Sequence, residues 1–286
     1  MKQAAADLTP APELQSRLAE YARAPHLLVA LDFDGVLAPL VDDPTQSRPT
    51  PAAAEAMERL AGAAGVQLAL VSGRPAADLG ELATPPTGTW LVGSHGAQEA
   101  HVGTDGSVHV LPIELDDDER ALLHRLTEAL EKIAAEPEFD GAWVEHKPAA
   151  VALHTRLVSD PQAAERALAF ALAGPGSWPG TYAQPGKQVV EIPVVQHTKG
   201  AAVAALRHRM REQLDAGSAS SAGGTSSTRV AVFFAGDDIT DETVLATLGE
   251  GDLGVKVGDG DSVASVRVAD EEAIATLLHQ LADLRT

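Results

Sequence analysis

The chain has 286 residues, enough for one large domain or two smaller ones, and 45% of them are hydrophobic, enough for a substantial core. Its formal net charge of −20 argues against nucleic acid and anionic membranes as general partners, because both bind basic surfaces. The sequence contains no cysteine, which excludes disulfides and thiolate chemistry.

The N-terminal segment, MKQAAADLTPAPELQSRL, has an early lysine but lacks the apolar centre of a signal peptide. No stretch of the sequence approaches the length of a membrane span. We therefore expect a soluble, cytoplasmic protein, and we expect it to be a monomer.

The first hundred residues alternate between helix and strand patterns. Residues 12–23 are predicted to form a short amphipathic helix, and residues 51–63 a helix that begins at a proline. The apolar runs Leu27–Leu31 and Val66–Val71 read as buried strands, and TWLVGSHG repeats the pattern. This alternation predicts a parallel sheet covered by helices on both faces.

The middle of the chain does not alternate in this way. The acidic cluster Asp116–Glu119 precedes a long helical stretch, AWVEHK and AVALHTR resemble strands, residues 161–173 resemble a helix, and QVVEIPV a further strand. The mixture predicts a smaller α+β domain inserted into the first domain. The expected boundaries are 111–194 for the inserted domain, and 1–110 with 195–286 for the core.

The last third of the chain returns to the first pattern. TKGAAVAALRHRM is helical, RVAVFFAGDD and DLGVKVG are strand-like, and EEAIATLLHQLADL is a closing helix. Residues 215–228 are rich in serine and glycine, and we expect a mobile loop there.

Polar motifs follow three of the predicted strands, and a fourth opens a helix. They are Asp32-Phe33-Asp34-Gly35, Ser72-Gly73-Arg74, Gly236-Asp237-Asp238 and Thr198-Lys199-Gly200. Taken singly, each is ordinary turn or cap chemistry. The carboxyl ends of parallel strands share one edge of a sheet, where ligands bind, so the four together predict one site.

These residue types suit hydrolysis of a phosphate monoester, a reaction that enzymes accelerate by up to about 10²¹-fold. A carboxylate nucleophile divides the reaction into two easier steps, and a second carboxyl two residues on can protonate the leaving alcohol. Two carboxylates and a phosphate need cations, which a magnesium ion and a lysine supply. A serine hydroxyl and backbone N–H groups can hold the phosphate oxygens.

LDFDGVLAP, VSGR, the Lys-Gly pair and GDDITDE resemble, in order, the four motifs of the haloacid-dehalogenase superfamily. The resemblance implies an α/β fold: a Rossmannoid core with a parallel sheet and, between the serine and lysine motifs, an inserted α+β cap domain of the C2 type. It implies that Asp32 is the nucleophile, Asp34 the general acid and base, and Lys199 the cation that steadies Asp32. It also implies that Ser72, with Gly73 and Arg74, binds the phosphate.

The same resemblance implies a Mg²⁺ site. Asp237 would bind the ion beside Asp32 and the backbone carbonyl of Asp34. Asp238 and Asp241 would be ligands or neighbours of the ligands, and the sequence does not separate these two roles.

GAWVEHKPAAVALHTR, PGKQVVEIPVVQHTKG and LVGSHGAQEA further resemble the trehalose-6-phosphate phosphatases. This resemblance implies that cap residues contact the sugar and that two residues of the core line the pocket below. The cap residues are Lys147, His154, Arg156, Lys187 and Glu191, and the core residues are His95 and Gly96. Without it, the alternating charges of these segments would indicate only half-exposed strands.

Four functions follow from these motifs. The first is Mg²⁺-dependent hydrolysis of trehalose 6-phosphate to trehalose and phosphate, and the second is hydrolysis of another sugar phosphate. The third is a sugar phosphomutase, which would release an isomeric sugar phosphate in place of inorganic phosphate. A non-catalytic sugar-phosphate sensor is the fourth, but it would be expected to lack one of the motifs, and none is missing here.

Overall fold

The structure is a computed structural model that describes residues 11–218 and 228–285. The chain divides into two compact units, one formed by Met1–Pro112 with His197–Thr286 and the other by Ile113–Gln196. Both junctions lie two residues beyond the positions expected from the sequence.

The first unit begins with alternating helices and strands, as the sequence pattern predicts. Thr50 accepts a hydrogen bond from the N–H of Ala53, and Pro51 occupies the first helical position, which together start the second helix. The elements are α1 (Ala11–Tyr21), β1 (His26–Leu31), α2 (Pro51–Ala61), β2 (Val66–Val71), α3 (Ala76–Ala83), β3 (Trp90–Gly93), β4 (Gln98–Val102) and β5 (Val108–Val110).

The second unit mixes helices with antiparallel strands. Its acidic cluster is a helix N-cap, because Asp116 and Glu119 exchange hydrogen bonds in a capping box. The elements are α4 (Asp117–Ala134), β6 (Trp143–Lys147), β7 (Ala150–His154), α5 (Pro161–Ala173), β8 (Gln184–Gly186) and β9 (Val189–Pro193). All of residues 113–196 are described, and their strands form one antiparallel sheet in the order β6-β7-β9-β8.

The chain then returns to the first unit with α6 (Lys199–Ser218), β10 (Val230–Gly236), α7 (Glu242–Leu245), β11 (Leu253–Val257), β12 (Val266–Val268) and α8 (Glu271–Asp283). Residues 215–218 continue α6, so the expected loop does not begin at residue 215. Helix growth adds one hydrogen bond per residue, which favours extension into a polar segment. Residues 219–227 lie outside the described residues.

The sheet of the first unit, as far as the described residues show it, has the strand order β12-β11-β10-β1-β2-β3-β4-β5. Its strands pair in parallel from β12 to β3, while β4 and β5 extend this end of the sheet in antiparallel fashion and were not predicted from the sequence pattern. β1 and β10 are neighbours at the centre of the sheet. From β1 the chain continues to β2 and β3 on one side, and from β10 it continues to β11 and β12 on the other. Such a switch point opens a crevice at the carboxyl ends of the strands, where ligands bind.

Buried side chains on the two faces of this sheet form separate apolar clusters. Leu31 of β1 and Phe233 of β10 belong to one, and Ala30 and Phe234 to the other. The central strands are apolar along their whole length because helices cover both faces of the sheet. Across the described ranges, none of the helices combines the length and apolar character that a membrane crossing requires.

Candidate active site

A buried lysine joins two buried aspartates at the carboxyl edge of the sheet. Asp32 directly follows β1 and is 4% exposed, and Lys199, the first residue of α6, is 2% exposed. Lys199 Nζ donates to Asp32 Oδ2 at 2.7 Å and to Asp241 Oδ1 at 2.8 Å. Burial alone would lower the pKa of Lys199, but the two carboxylates outweigh it and raise that pKa above its ordinary value.

The loop after β10 is organised around Asp241. Its Oδ2 accepts hydrogen bonds from the backbone N–H groups of Asp237 at 2.9 Å and Asp238 at 3.0 Å. Asp238 in turn accepts, at Oδ1, from the backbone and hydroxyl of Thr240 and from the backbone of Asp241. Burial opposes the ionised form of Asp238, but these hydrogen bonds and Lys199 prevail and lower its pKa. Asp238 therefore caps a turn.

Three carboxylates lie close together at the carboxyl edge of the sheet. Oxygens of Asp32, Asp237 and Asp241 lie within 4.8 Å of one another. Burial raises the pKa of Asp32 well above its ordinary value, against the charge of Lys199. Burial, followed by the charges of Asp241 and Asp238, raises the pKa of Asp237 to about 6. The cluster therefore places three carboxyl groups around the ammonium of Lys199, which contacts two of them.

A divalent cation fits this donor set, because hard cations prefer carboxylate oxygens. Asp241 has both oxygens engaged by Lys199 and by backbone N–H groups. By contrast, no residue in 11–218 or 228–285 donates a hydrogen bond to the Asp237 carboxylate, which leaves its oxygens available. Gly35, at φ 74°, lies against that carboxylate, and a Cβ there would overlap it.

Lys256 is a second buried cation that the sequence analysis missed. It lies in β11, is 2% exposed, and donates through Nζ to the backbone carbonyl of Asp237. Only a paired ammonium group is tolerated at such depth. The signal was present in the sequence, since a lysine interrupts the otherwise apolar strand VKV at the predicted site edge.

Asp34 is held by an ion pair. Arg74 donates from Nε to Asp34 Oδ2 at 2.6 Å and from Nη2 to Oδ1 at 2.7 Å, while the hydroxyl of Ser47 donates to Oδ1 at 2.9 Å. Arg74 also donates to the carbonyl of Pro44. The two-pronged geometry fixes both groups. Arg74, expected to bind phosphate, contacts a protein carboxylate here.

Ser72 and the loop after β3 are linked through the backbone. Ser72 follows β2, which pairs in parallel with β1, so it lies beside Asp32 along the strand ends. The N–H of His95 donates to the carbonyl of Ser72 at 3.1 Å, and the His95 ring lies so close to Gly73 that a Cβ there would overlap it. Gly96, at φ 112°, lies against the backbone of Thr198.

In the second unit, two of the predicted sugar contacts form an ion pair. Lys147 Nζ lies 2.5 Å from Glu191 Oε2. His154 Nε2 lies 3.0 Å from Glu145 Oε2. Arg156, after β7, and Lys187, in the turn between β8 and β9, are exposed, and neither forms an ion pair with any described residue.

Comparison with known proteins identifies relatives over most of the chain. The model of a family described as "Trehalose-phosphatase" matches residues 30–278. The trehalose-6-phosphate phosphatase of Escherichia coli is 33% identical over 92% of this chain and 85% of that protein. The trehalose-phosphate phosphatase of Mycobacterium avium is 32% identical over 90% of this chain but 62% of its own length.

Among solved structures, Aspergillus fumigatus trehalose-6-phosphate phosphatase aligns with a TM-score of 0.66 at 20% identity, covering 97% of this chain and 99% of that one. This likeness and the mainly parallel sheet confirm the predicted α/β fold class. The family match over residues 30–278 and the identity to the Escherichia coli enzyme show that the chain belongs to the trehalose-phosphatase family.

Proposed function

We propose that the protein hydrolyses trehalose 6-phosphate to trehalose and phosphate through an aspartyl-phosphate on Asp32, with Mg²⁺ as cofactor. The observation that carries the proposal is the buried contact of Lys199 with both Asp32 and Asp241, beside Asp237. In this arrangement Asp32 is a fixed nucleophile, Lys199 is the cation that compensates its charge, and Asp237 is a carboxylate available to a metal ion. The chain that carries them belongs to the trehalose-phosphatase family.

In the first step, an oxygen of the Asp32 carboxylate attacks phosphorus, the bond from phosphorus to the sugar oxygen breaks, and that oxygen takes a proton from Asp34. The N–H of Phe33, 2.7 Å from Asp32 Oδ1, and Lys199 orient the attacking carboxylate. Ser72 donates its hydroxyl hydrogen to a phosphate oxygen as charge develops there.

In the second step, water attacks phosphorus, Asp34 accepts the proton of the water, and the bond between phosphorus and Asp32 breaks. In the structure, Arg74 orients the Asp34 carboxylate through two hydrogen bonds. We propose that Arg74 releases Asp34 when substrate binds, which frees the carboxyl group to transfer a proton to the sugar oxygen. The guanidinium and the N–H groups around Gly73 can then bind the phosphate.

We assign the Mg²⁺ to Asp237, Asp32 and the backbone carbonyl of Asp34. Bound there, the ion would neutralise charge on the phosphate and on the attacking carboxylate. Asp241 holds the loop and Lys199 with both of its oxygens, so its role is to position Asp237. Asp238, also expected as a ligand, secures the turn that presents Asp237.

The sugar contacts are proposed for both units. Lys147 and Glu191 offer an ammonium and a carboxylate to sugar hydroxyls, and exposed Arg156 and Lys187 offer further donors. We assign His95 and Gly96 of the first unit to contacts near the phosphate of the substrate. A cytoplasmic location and a monomeric state stay predictions.

Phosphate release from a substrate panel tests the proposal. After dialysis against EDTA, the protein is assayed with trehalose 6-phosphate, sucrose 6-phosphate, glucose 6-phosphate and glycerol 3-phosphate, with and without Mg²⁺. The highest kcat/KM is expected for trehalose 6-phosphate, with trehalose as product and activity restored by Mg²⁺. A higher kcat/KM for another sugar phosphate would reject the substrate assignment, and an isomeric sugar phosphate as product would indicate a phosphomutase.

Replacing Glu191 with alanine is expected to lower kcat/KM for trehalose 6-phosphate by about 10- to 100-fold, the value of one charged hydrogen bond. Turnover of glycerol 3-phosphate, which has no sugar ring, should change less than about twofold because its contacts lie at the phosphate. The matched control is Glu165→Ala, an exposed glutamate on α5. Equal losses on both substrates would exclude a sugar contact at Glu191.

A further inference from the structure

The antiparallel sheet of the second unit has one covered and one open face. Side chains such as Val151 and Ile192 pack beneath α4 and α5 in the apolar cluster of this unit. The alternate positions carry Trp143, Glu145, Lys147, His154 and Glu191, and we call these five residues the open face. Because strand side chains alternate, all five project from the side opposite the helices.

The polar groups of the open face are linked across the sheet. Lys147 on β6 reaches Glu191 on β9 although β7 lies between them, because the β7 side chains between the two residues are those of Ala150 and Ala152. Glu145 contacts His154 at 3.0 Å and lies 4.0 Å from Lys147. Hydrogen-bond donors and acceptors thus alternate above the small side chains of Ala150 and Ala152.

Trp143 stands at one end of this network without a role in the mechanism above. Its ring lies flat on the His154 ring, which pairs with it across the strands, at 4.0 Å between centroids and 5° between planes. Trp143 is 43% exposed. The other two tryptophans lie beside arginine guanidinium groups, those of Arg209 and Arg125. Part of the Trp143 indole is therefore an exposed apolar surface on an otherwise polar face.

We propose that the exposed surface of Trp143 is a stacking platform for one pyranose ring of the substrate, and that it contributes to the selection of a disaccharide. This inference rests on the proposed function. The C–H groups on one side of a pyranose ring form an apolar face that packs on an indole, while its hydroxyls project from the ring edge. The same sheet face carries the carboxylates of Glu145 and Glu191, which can accept hydrogen bonds from those hydroxyls, and the ammonium of Lys147, which can donate to them.

The charges of the open face favour a sugar ring over an anionic ligand. Its two carboxylates outnumber the single lysine, so a nucleotide or a second phosphate would meet net negative charge. His154 is a positioning residue: it supports the indole from beneath and is itself fixed by Glu145. A platform fixed before binding loses little conformational entropy when the sugar docks.

Steady-state kinetics of Trp143→Ala and Trp143→Phe test the inference. For trehalose 6-phosphate, the alanine variant should raise KM about 5- to 10-fold with kcat within about twofold of the wild type. The phenylalanine variant should recover most of the loss because it keeps an aromatic plane. Glycerol 3-phosphate turnover should not change. The matched control is Phe170→Ala, an aromatic residue on α5 that is 56% exposed.

A titration with trehalose, followed by tryptophan fluorescence, separates this inference from the proposed function. The wild type should show a spectral change that Trp143→Phe lacks. If trehalose 6-phosphate is hydrolysed but Trp143→Ala leaves its KM within twofold, the platform is wrong and the function stands. If no hydrolysis occurs but trehalose still perturbs Trp143, the function is wrong and the platform stands. A KM increase that Trp143→Phe does not reduce, or that glycerol 3-phosphate shares, also overturns the platform.

Discussion

Replacing Asp32 with asparagine is expected to lower kcat for trehalose 6-phosphate by at least about 10⁴-fold, the loss typical of a missing nucleophile. An amide neither attacks phosphorus nor forms the acyl-phosphate, so the two-step route is closed. The substrate should still bind, because its contacts lie on other residues. Phosphate release in rapid-quench and steady-state assays measures the effect.

The same variant should keep its fold. Whichever way the amide is turned, its NH₂ group faces either the N–H of Phe33 or the ammonium of Lys199, so one hydrogen bond is lost. Removing a charge from three crowded carboxylates offsets part of that loss. The free energy of unfolding should therefore change by no more than about 1.5 kcal/mol in urea.

Asp118→Asn, on the exposed surface of α4, is the matched control and should retain full activity. Undiminished phosphate release by Asp32→Asn would end the assignment of the nucleophile. A variant that is both inactive and unfolded by circular dichroism would contradict the stability argument.

Replacing Lys199 with methionine is expected to lower the free energy of unfolding by about 3–5 kcal/mol in the presence of EDTA. The methionine fills a similar volume, but Asp32 and Asp241 then stay buried without their shared cation. An uncompensated buried charge is among the costliest changes in a protein interior. Urea denaturation followed by circular dichroism gives the value.

This variant should also lose about 10²- to 10³-fold in kcat, since one preorganised donor at the reacting carboxylate disappears. The matched control, Lys132→Met on the exposed side of α4, should stay within about 0.5 kcal/mol of the wild type. Wild-type stability in Lys199→Met would show that the ammonium does not compensate the two aspartates.

The prediction succeeded where the chain carries strong local signals. β1 and β10 are continuous apolar runs bounded by Asp and Gly, as expected of parallel strands buried on both faces. The helix predicted at 161–173 has those bounds in the structure, because Asp160 caps it and Pro161 starts it. Long periodic segments of this kind specify their own secondary structure.

Short or irregular elements were missed because their stability comes from neighbours. β4 and β5 are short and partly polar sequences that become strands by pairing with β3 and with each other. Lys256 looks like an interruption of β11 until its contact with the carbonyl of Asp237 is known. Asp238 and Asp241 could not be told apart because their difference lies only in which groups their carboxylates reach.

By itself, the amino-acid sequence determined the fold class, the order of the polar motifs and the edge of the sheet on which they fall. These follow from hydrophobic periodicity and from the rule that parallel strands share their carboxyl edge. Only the tertiary structure decided that Arg74 clamps Asp34, that Lys199 bridges two aspartates and that Trp143 lies on His154. Such contacts join residues distant in sequence or in neighbouring strands, and their geometry depends on packing that no local pattern encodes.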